Sequence, residues 1–257
     1  MYKPLRGLIM EDMKFCVVIP VYRHEHTVKA IAESISAKNL PVFLVDDGNT
    51  PEAKKVLASI AEEVPNTTLV SYEKNGGKGF AVSEGLKAAF KAGYTHALQV
   101  DADGQHDLNA LSFFIKASRK HPESLISAFP QYDESVPKSR LQGRKITNFW
   151  VNVETLSADI PDSMCGFRVY PLAKVVPVIK HISDFRMGFD IEILVRLKWK
   201  GLKMNFYPIQ VKYPENGISN FHVVKDNIAI SWMHTKLFFG MLIRLPILLK
   251  RKLKKHG

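Results

Sequence analysis

The chain has 257 residues, 46% of them hydrophobic and 24% charged, which are globular values that exclude a disordered or fibrous chain. Two cysteines, Cys16 and Cys165, are too few for a disulfide framework or a cysteine-rich zinc site, and they point to a reducing compartment. The formal net charge of +11 is uneven, with 12 Lys+Arg against 14 Asp+Glu in residues 1–110 and 24 against 11 in residues 111–257. The second half therefore calls for an anionic partner: nucleic acid, a phosphate-bearing substrate or a membrane surface.

Lys3 and Arg6 precede an apolar run, Phe15–Val21, that superficially resembles a signal peptide. The run is short, contains Pro20 and lacks a small-residue cleavage site, so it is read as a first, doubly buried strand. Helical spacing follows over His24–Lys38, a second strand over Val42–Val45, a helix over Pro51–Val64 and a third strand over Thr68–Tyr72. Gly79–Ala92 is predicted helical, His96–Val100 a strand, Leu108–Lys120 a helix and Leu125–Phe129 a strand. Strands alternating with helices of this length predict right-handed βαβ units and a mostly parallel sheet, whose ligands sit beyond the carboxyl ends of the strands. Beyond residue 130, Gln131–Lys145 is polar and basic, and Ile146–Leu156 has helical spacing. A short strand is expected over Gly166–Tyr170, an amphipathic helix over Gly188–Lys200, a strand over Leu202–Val211 and a loop over Glu215–Phe221.

No uninterrupted apolar stretch reaches the ~18 residues of a spanning helix. Leu237–Leu249 comes nearest, broken by Arg244 and Pro246 and followed by Lys250, Arg251, Lys252, Lys254 and Lys255. Such a segment reads as a tail lying on an anionic membrane face, with a terminal helix packed on its own core as the alternative.

Three polar clusters close the parallel strands: Asp46-Asp47-Gly48, Asn75-Gly76-Gly77-Lys78-Gly79, and Asp101-Ala102-Asp103-Gly104-Gln105-His106. Asp101 and Asp103 are spaced to converge on a hard divalent ion, although a lone Asp-x-Asp is a weak signal. The calcium-loop pattern is incomplete, the P-loop Lys-Ser/Thr pair is absent, and no G-x-G-x-x-G follows the first strand. The glycine-rich loop suits close backbone approach to a phosphate at a helix N-terminus.

Together with Ile19-Pro20-Val21-Tyr22, the clusters closely resemble the family-2 glycosyltransferases, and more narrowly their dolichyl- or polyprenyl-phosphate sugar synthase branch. Cys165-Gly166-Phe167-Arg168 resembles that branch's Ser-Gly-Phe-Arg segment, and Asn216-Gly217-Ile218-Ser219-Asn220 its Gly-x-Ser-Lys element. Departures are Cys165 for Ser, Asn220 for Lys, and Arg23-His24-Glu25 where Asn-Glu often follows the tyrosine. The resemblance spans residues 15 to 222 and implies an α/β fold: a GT-A (Rossmann-like), mostly parallel sheet flanked by helices, with a C-terminal amphipathic helical segment. The expected division is a GT-A glycosyltransferase domain, 1–224 (donor half about 14–130, acceptor half about 131–224), and, from its apolar and basic composition, an amphipathic membrane-associating tail, 225–257.

The resemblance further implies an inverting transfer from a UDP- or GDP-sugar to a lipid acceptor, polyprenyl phosphate in the leading reading. Pro20, Tyr22, Glu25, Asp47 and Lys78 would bind the donor, and Asp101 and Asp103 would hold Mg2+ or Mn2+ and the diphosphate, with Gln105 beside them. Ser219 falls in the matching acceptor-side element, and Arg140, Arg144 and Arg168 are the cationic candidates for phosphate, since a guanidinium fork matches phosphate oxygens. A hydroxyl acceptor on a glycan, glycolipid or other lipid would need a carboxylate base, for which Asp162, Asp190 and Glu192 are candidates; the last two compete with a helix-capping role. A phosphate monoester needs none, because its second pKa lies near ~6. The expected location is cytoplasmic, peripheral at the inner face of the membrane. Nucleic acid is not expected, since no DNA- or RNA-binding module is recognisable.

Overall fold

The structure is a computed structural model that describes residues 12–132, 136, 138–211 and 222–256. Side chains of residues 138–140 and 255–256 lie outside that description, and so do Ser219, the rest of segment 216–221, and the side chain of Arg140.

Strands β1 (Phe15–Val21), β2 (Val42–Asp47), β3 (Thr67–Tyr72) and β4 (His96–Gln99) form a parallel half-sheet, with β1 between β2 and β4. Helices α1 (Glu25–Ser36), α2 (Pro51–Glu63) and α3 (Lys78–Lys91) connect them, the crossovers that parallel pairing requires. The pleat of β1 explains its continuous apolar run. Val17, Ile19 and Val21 join a core with α1 and α2, while Cys16 and Val18 face α3 in a second core. Thr50 caps α2 by accepting the amide of Ala53, and Pro51 stands in its first turn.

The remaining elements are α4 (Leu111–Lys120, preceded by a 3-10 turn), β5 (Leu125–Tyr132), α5 (Lys138–Thr155), β6 (Arg168–Pro171), α6 (Leu172–Ile179), α7 (Phe189–Trp199), β7 (Met204–Val211) and α8 (Val223–His256). One seven-stranded sheet results, in the order β3-β2-β1-β4-β6-β5-β7, with β6 antiparallel to both neighbours and β5 parallel to β7.

The structure departs from the sequence expectations in four places. Helix α5 starts eight residues before the predicted Ile146, because the basic stretch leading to it, Gly143 and Ser139 apart, consists of good helix formers that lack an apolar stripe. Strand β6 begins at Arg168, leaving Gly166 and Phe167 in the loop before it. Helix α6 is unannounced by the sequence pattern and carries Pro177 within it. The apolar tail is part of a continuous 34-residue helix that packs on α5 and α7. Of α8, Val223–Lys254 is long and apolar enough to cross a membrane by length and composition, with 28% of its most apolar window buried.

Candidate active site

Pairing aligns Val21 of β1 with Asp46, while Val18 aligns with Gln99, so Tyr22, Asp47 and Asp101 emerge on one edge of the sheet. There they border a cavity of about 930 Å³. Its far wall comes from Gly143, Arg144 and Thr147 of α5 and from Val223, Lys225, Asn227 and Ile230 of α8.

Asp47 organises the glycine loop. Its carboxylate accepts the amides of Gly76 (2.8 Å) and Gly77 (2.9 Å) and the side-chain amide of Asn75 (2.9 Å). Burial pushes this carboxyl up to about 6 against the pull of those amides. Two amides expected to approach a phosphate are thus spent on Asp47. The glycines answer to packing instead: Gly77 has φ +99°, and a Cβ on Gly79 would stand 2.3 Å from that of Phe189.

Lys78 lies at the centre of the charge network. Its ammonium is 2.9 Å from Oδ2 of Asp101 and 2.9 Å from Oδ2 of Asp190. Burial opposes its charge, but the two carboxylates outweigh burial and hold the lysine well above its usual value. Asp101 is likewise disfavoured by burial and held below the usual carboxylate range by Lys78. Gln99 reaches both carboxylates (3.5 and 3.3 Å) and accepts the Tyr170 hydroxyl at 2.9 Å. Gly166 makes room for this cluster, since a Cβ there would meet the Asp101 carboxylate at 2.7 Å.

Pro20, Tyr22, Asp47, Lys78, Asp101, Asp103, Gln105 and Arg144 all line the cavity. Asp103 accepts the Gln105 amide at 3.0 Å. Asp101 and Asp103, with the buried and unpartnered Nδ1 of His106 on the same cavity, suit a hard divalent ion that keeps waters and takes further ligands from a substrate. Among the described residues no group of three or more His, Cys, Asp or Glu side chains is clustered to hold a metal alone.

Other candidates stand elsewhere. Glu25 is displaced by Arg23 and His24 into the first turn of α1, outside the cavity lining. Arg168 is wholly buried and donates to the carbonyls of Asp190 (2.7 Å) and Ser163 (2.9 Å), so it ties β6 to α7 instead of facing a phosphate. Glu192, also wholly buried, accepts the amides of Ser183 and Asp184 and pairs with Arg196. Asp162 accepts the amides of Met164 and Cys165 and pairs with Arg144. Asp190 reaches the cavity only through Lys78. None of the three base candidates lines the cavity.

Sequence reasoning missed Gln99, His106, Arg186 and Lys225. Gln99 had a legible signal, a polar residue inside an apolar strand. Arg186, which lines the cavity and donates to Asn75 Oδ1 at 3.3 Å, lies in a loop with no pattern around it.

A mixed seven-stranded sheet flanked by helices, with polar clusters closing its parallel strands, defines a GT-A fold. The glycosyl transferase family 2 model matches residues 16–175, and the chain belongs to that family; it is a glycosyltransferase. It is 25% identical over 206 residues to the dolichyl-phosphate beta-glucosyltransferase of Dictyostelium discoideum, covering 72% of this chain and 62% of that one. It is 22% identical over 250 residues to the UDP-N-acetylglucosamine–dolichyl-phosphate N-acetylglucosaminyltransferase of Methanococcus voltae, covering 91% and 97%. Glucosyl-3-phosphoglycerate synthase from Mycobacterium tuberculosis, solved with Mn2+, UDP-glucose and phosphoglyceric acid, shares the fold: TM-score 0.62, 14% identity, 95% of this chain and 85% of that one covered.

Proposed function

We propose that this glycosyltransferase moves a sugar, with inversion, from a nucleoside-diphosphate sugar to a polyprenyl phosphate at the cytoplasmic face of a membrane. The observation that carries the choice of acceptor is the fate of the cavity's carboxylates. Those lining it among the described residues are Asp47, Asp101 and Asp103. The first is spent on the glycine loop, the second is paired with Lys78, and the third belongs with it to the acidic pair. Among the described residues that leaves no carboxylate to take a proton from a hydroxyl, whereas an ionised phosphate oxygen needs none.

An oxygen of the lipid phosphate attacks the anomeric carbon as the bond to the donor diphosphate breaks, and the nucleoside diphosphate leaves with the electron pair. A Mg2+ or Mn2+ ion held by Asp101 and Asp103 would supply charge neutralisation on that diphosphate. Tyr22 and Pro20 wall the nucleoside end, and Lys78 keeps the Asp101 carboxylate ionised and oriented. Arg144, Arg186 and Lys225 supply positive charge around the acceptor end. The donor half (14–130), acceptor half (131–224) and tail (225–257) then divide binding, acceptance and membrane contact.

The test is a thermal-shift screen of UDP- and GDP-sugars with Mn2+, followed by transfer of the best donor's sugar to polyprenyl phosphate and to hydroxyl-bearing glycolipids. Transfer only to the phosphate supports the reading; transfer only to hydroxyls overturns it. Asp103→Ala should abolish transfer with an unchanged melting profile, and full activity of that variant under chelation would remove the metal from the reading.

A further inference from the structure

Helix α8 is apolar on two opposite faces. Met233, Leu237, Met241 and Leu248 are buried in the core shared with α5 and α7. On the other side Ile228, Trp232, Phe239, Ile243 and Leu253 recur at helical spacing along its length and are exposed. Helix α5 extends that surface with Ile146, Phe149 and Trp150, also exposed. Ring contacts join the two helices, Phe149 to Trp150, Trp150 to Phe238 (6.4 Å) and Phe238 to Phe239. A monomer in water gains nothing from an apolar strip of this length.

We propose that α5 and α8 together form an in-plane docking surface for an anionic bilayer, and that α8 lies along the membrane without crossing it. The proposal rests on the membrane location given above. Polar ties along the inner face hold α8 to the protein: His234 to Glu154 (2.7 Å), Lys236 to Ser183 (2.7 Å), Arg244 over the Trp199 ring (4.6 Å) and Arg251 to the Trp199 carbonyl (2.6 Å). Crossing would break these ties and carry Lys236 and Arg244 into hydrocarbon. At ~1.5 Å per residue the 34-residue helix is about 50 Å long, against a hydrocarbon layer of ~30 Å. Its two apolar faces also explain why composition alone makes it look able to span.

Charge selects the bilayer as occupant. Lys250, Lys252 and Lys254 are exposed where the strip ends, and Arg251 approaches Gly201, which is flanked by exposed Lys200 and by Leu202 and Lys203. At its other end the strip meets the catalytic cavity, whose wall is made by these same two helices, so a lipid acceptor enters from the membrane plane.

Full-length Lys254→Cys and Glu52→Cys variants, in inverted membrane vesicles from expressing cells, are labelled with a membrane-impermeant maleimide. Cys16 and Cys165 are buried and contribute little background. In-plane docking predicts equal labelling of both without detergent. Labelling of Lys254→Cys only after detergent means that α8 spans, which overturns the proposal while leaving the membrane location standing. Absence from the membrane fraction overturns both. Purified Phe239→Glu and Phe149→Glu should each bind phosphatidylcholine/phosphatidylglycerol vesicles ~10-fold more weakly than wild type, with unchanged melting. Unaltered binding of Phe149→Glu would remove α5 from the surface.

Discussion

Lys78→Met deletes the ammonium that joins Asp101 to Asp190 and keeps most of the side-chain volume. Both contacts are 2.9 Å, and the side chains of Lys78, Asp101 and Asp190 are 25%, 20% and 7% exposed. Removing one partner of a buried ion pair costs about 3–5 kcal/mol, and the partial solvent access of Lys78 places the loss near ~3 kcal/mol. In a chain of this size that is a fall in Tm of roughly 6–12 °C at neutral pH. The pH dependence follows from Asp101. Burial disfavours its charge, but Lys78 overrides burial and holds it below the usual range, so it stabilises the fold above the unfolded pKa and loses that contribution only in acid. Without Lys78, burial and the neighbouring Asp190 raise the Asp101 carboxyl, and ionisation on going from acid to neutral pH destabilises the variant. Urea denaturation of wild type and K78M at pH 4.5 and 7.5 measures this: the deficit should be largest at 7.5 and shrink toward 4.5. Mn2+ should also raise the Tm of K78M more than that of the wild type, by replacing the missing cation. Equal stability at pH 7.5, or a deficit independent of pH, would refute the assignment of Lys78 as counter-ion of the pair.

Asp47, with its carboxyl raised to about 6, binds a proton in the folded state that the unfolded chain has released. Wild-type stability relative to Asp47→Asn should therefore fall as pH rises from ~4 to ~6, by at most ~3 kcal/mol, measured by urea denaturation across that range. Gly79→Ala forces a methyl against Phe189 and should cost ~1–3 kcal/mol in thermal melts. Gly143→Ala, in α5 with open space around it, should instead stabilise by ~0.5–1 kcal/mol. Glu192→Ala strands Arg196 and the amides of Ser183 and Asp184, so it should lose about 3–5 kcal/mol of stability while the protein that remains folded still binds donor in a thermal-shift assay.

Strand identity was legible in the sequence because a strand buried on both faces must be apolar throughout, as Phe15–Val21 is. The acidic pair and the glycine loop were legible only in combination, because a lone Asp-x-Asp at a strand end is a weak signal and the clusters gain meaning from their order along the chain. The resemblance singled out Pro20, Tyr22, Asp47, Lys78, Asp101, Asp103 and Gln105, and all seven line the same cavity. Tertiary structure alone decided the fate of the charges in the second half. Arg168, Glu192 and Asp162 are candidates on charge type and on the resemblance, yet each is buried by groups that only the fold brings to it, such as the Asp190 carbonyl for Arg168. Sequence spacing cannot say which charged group will be paired away from solvent, because the partner and the desolvation both come from the packed chain. The same limit applied to α8. Its composition marked it as apolar and basic, but only its packing on α5 and α7 separates the face that builds the core from the apolar face left exposed.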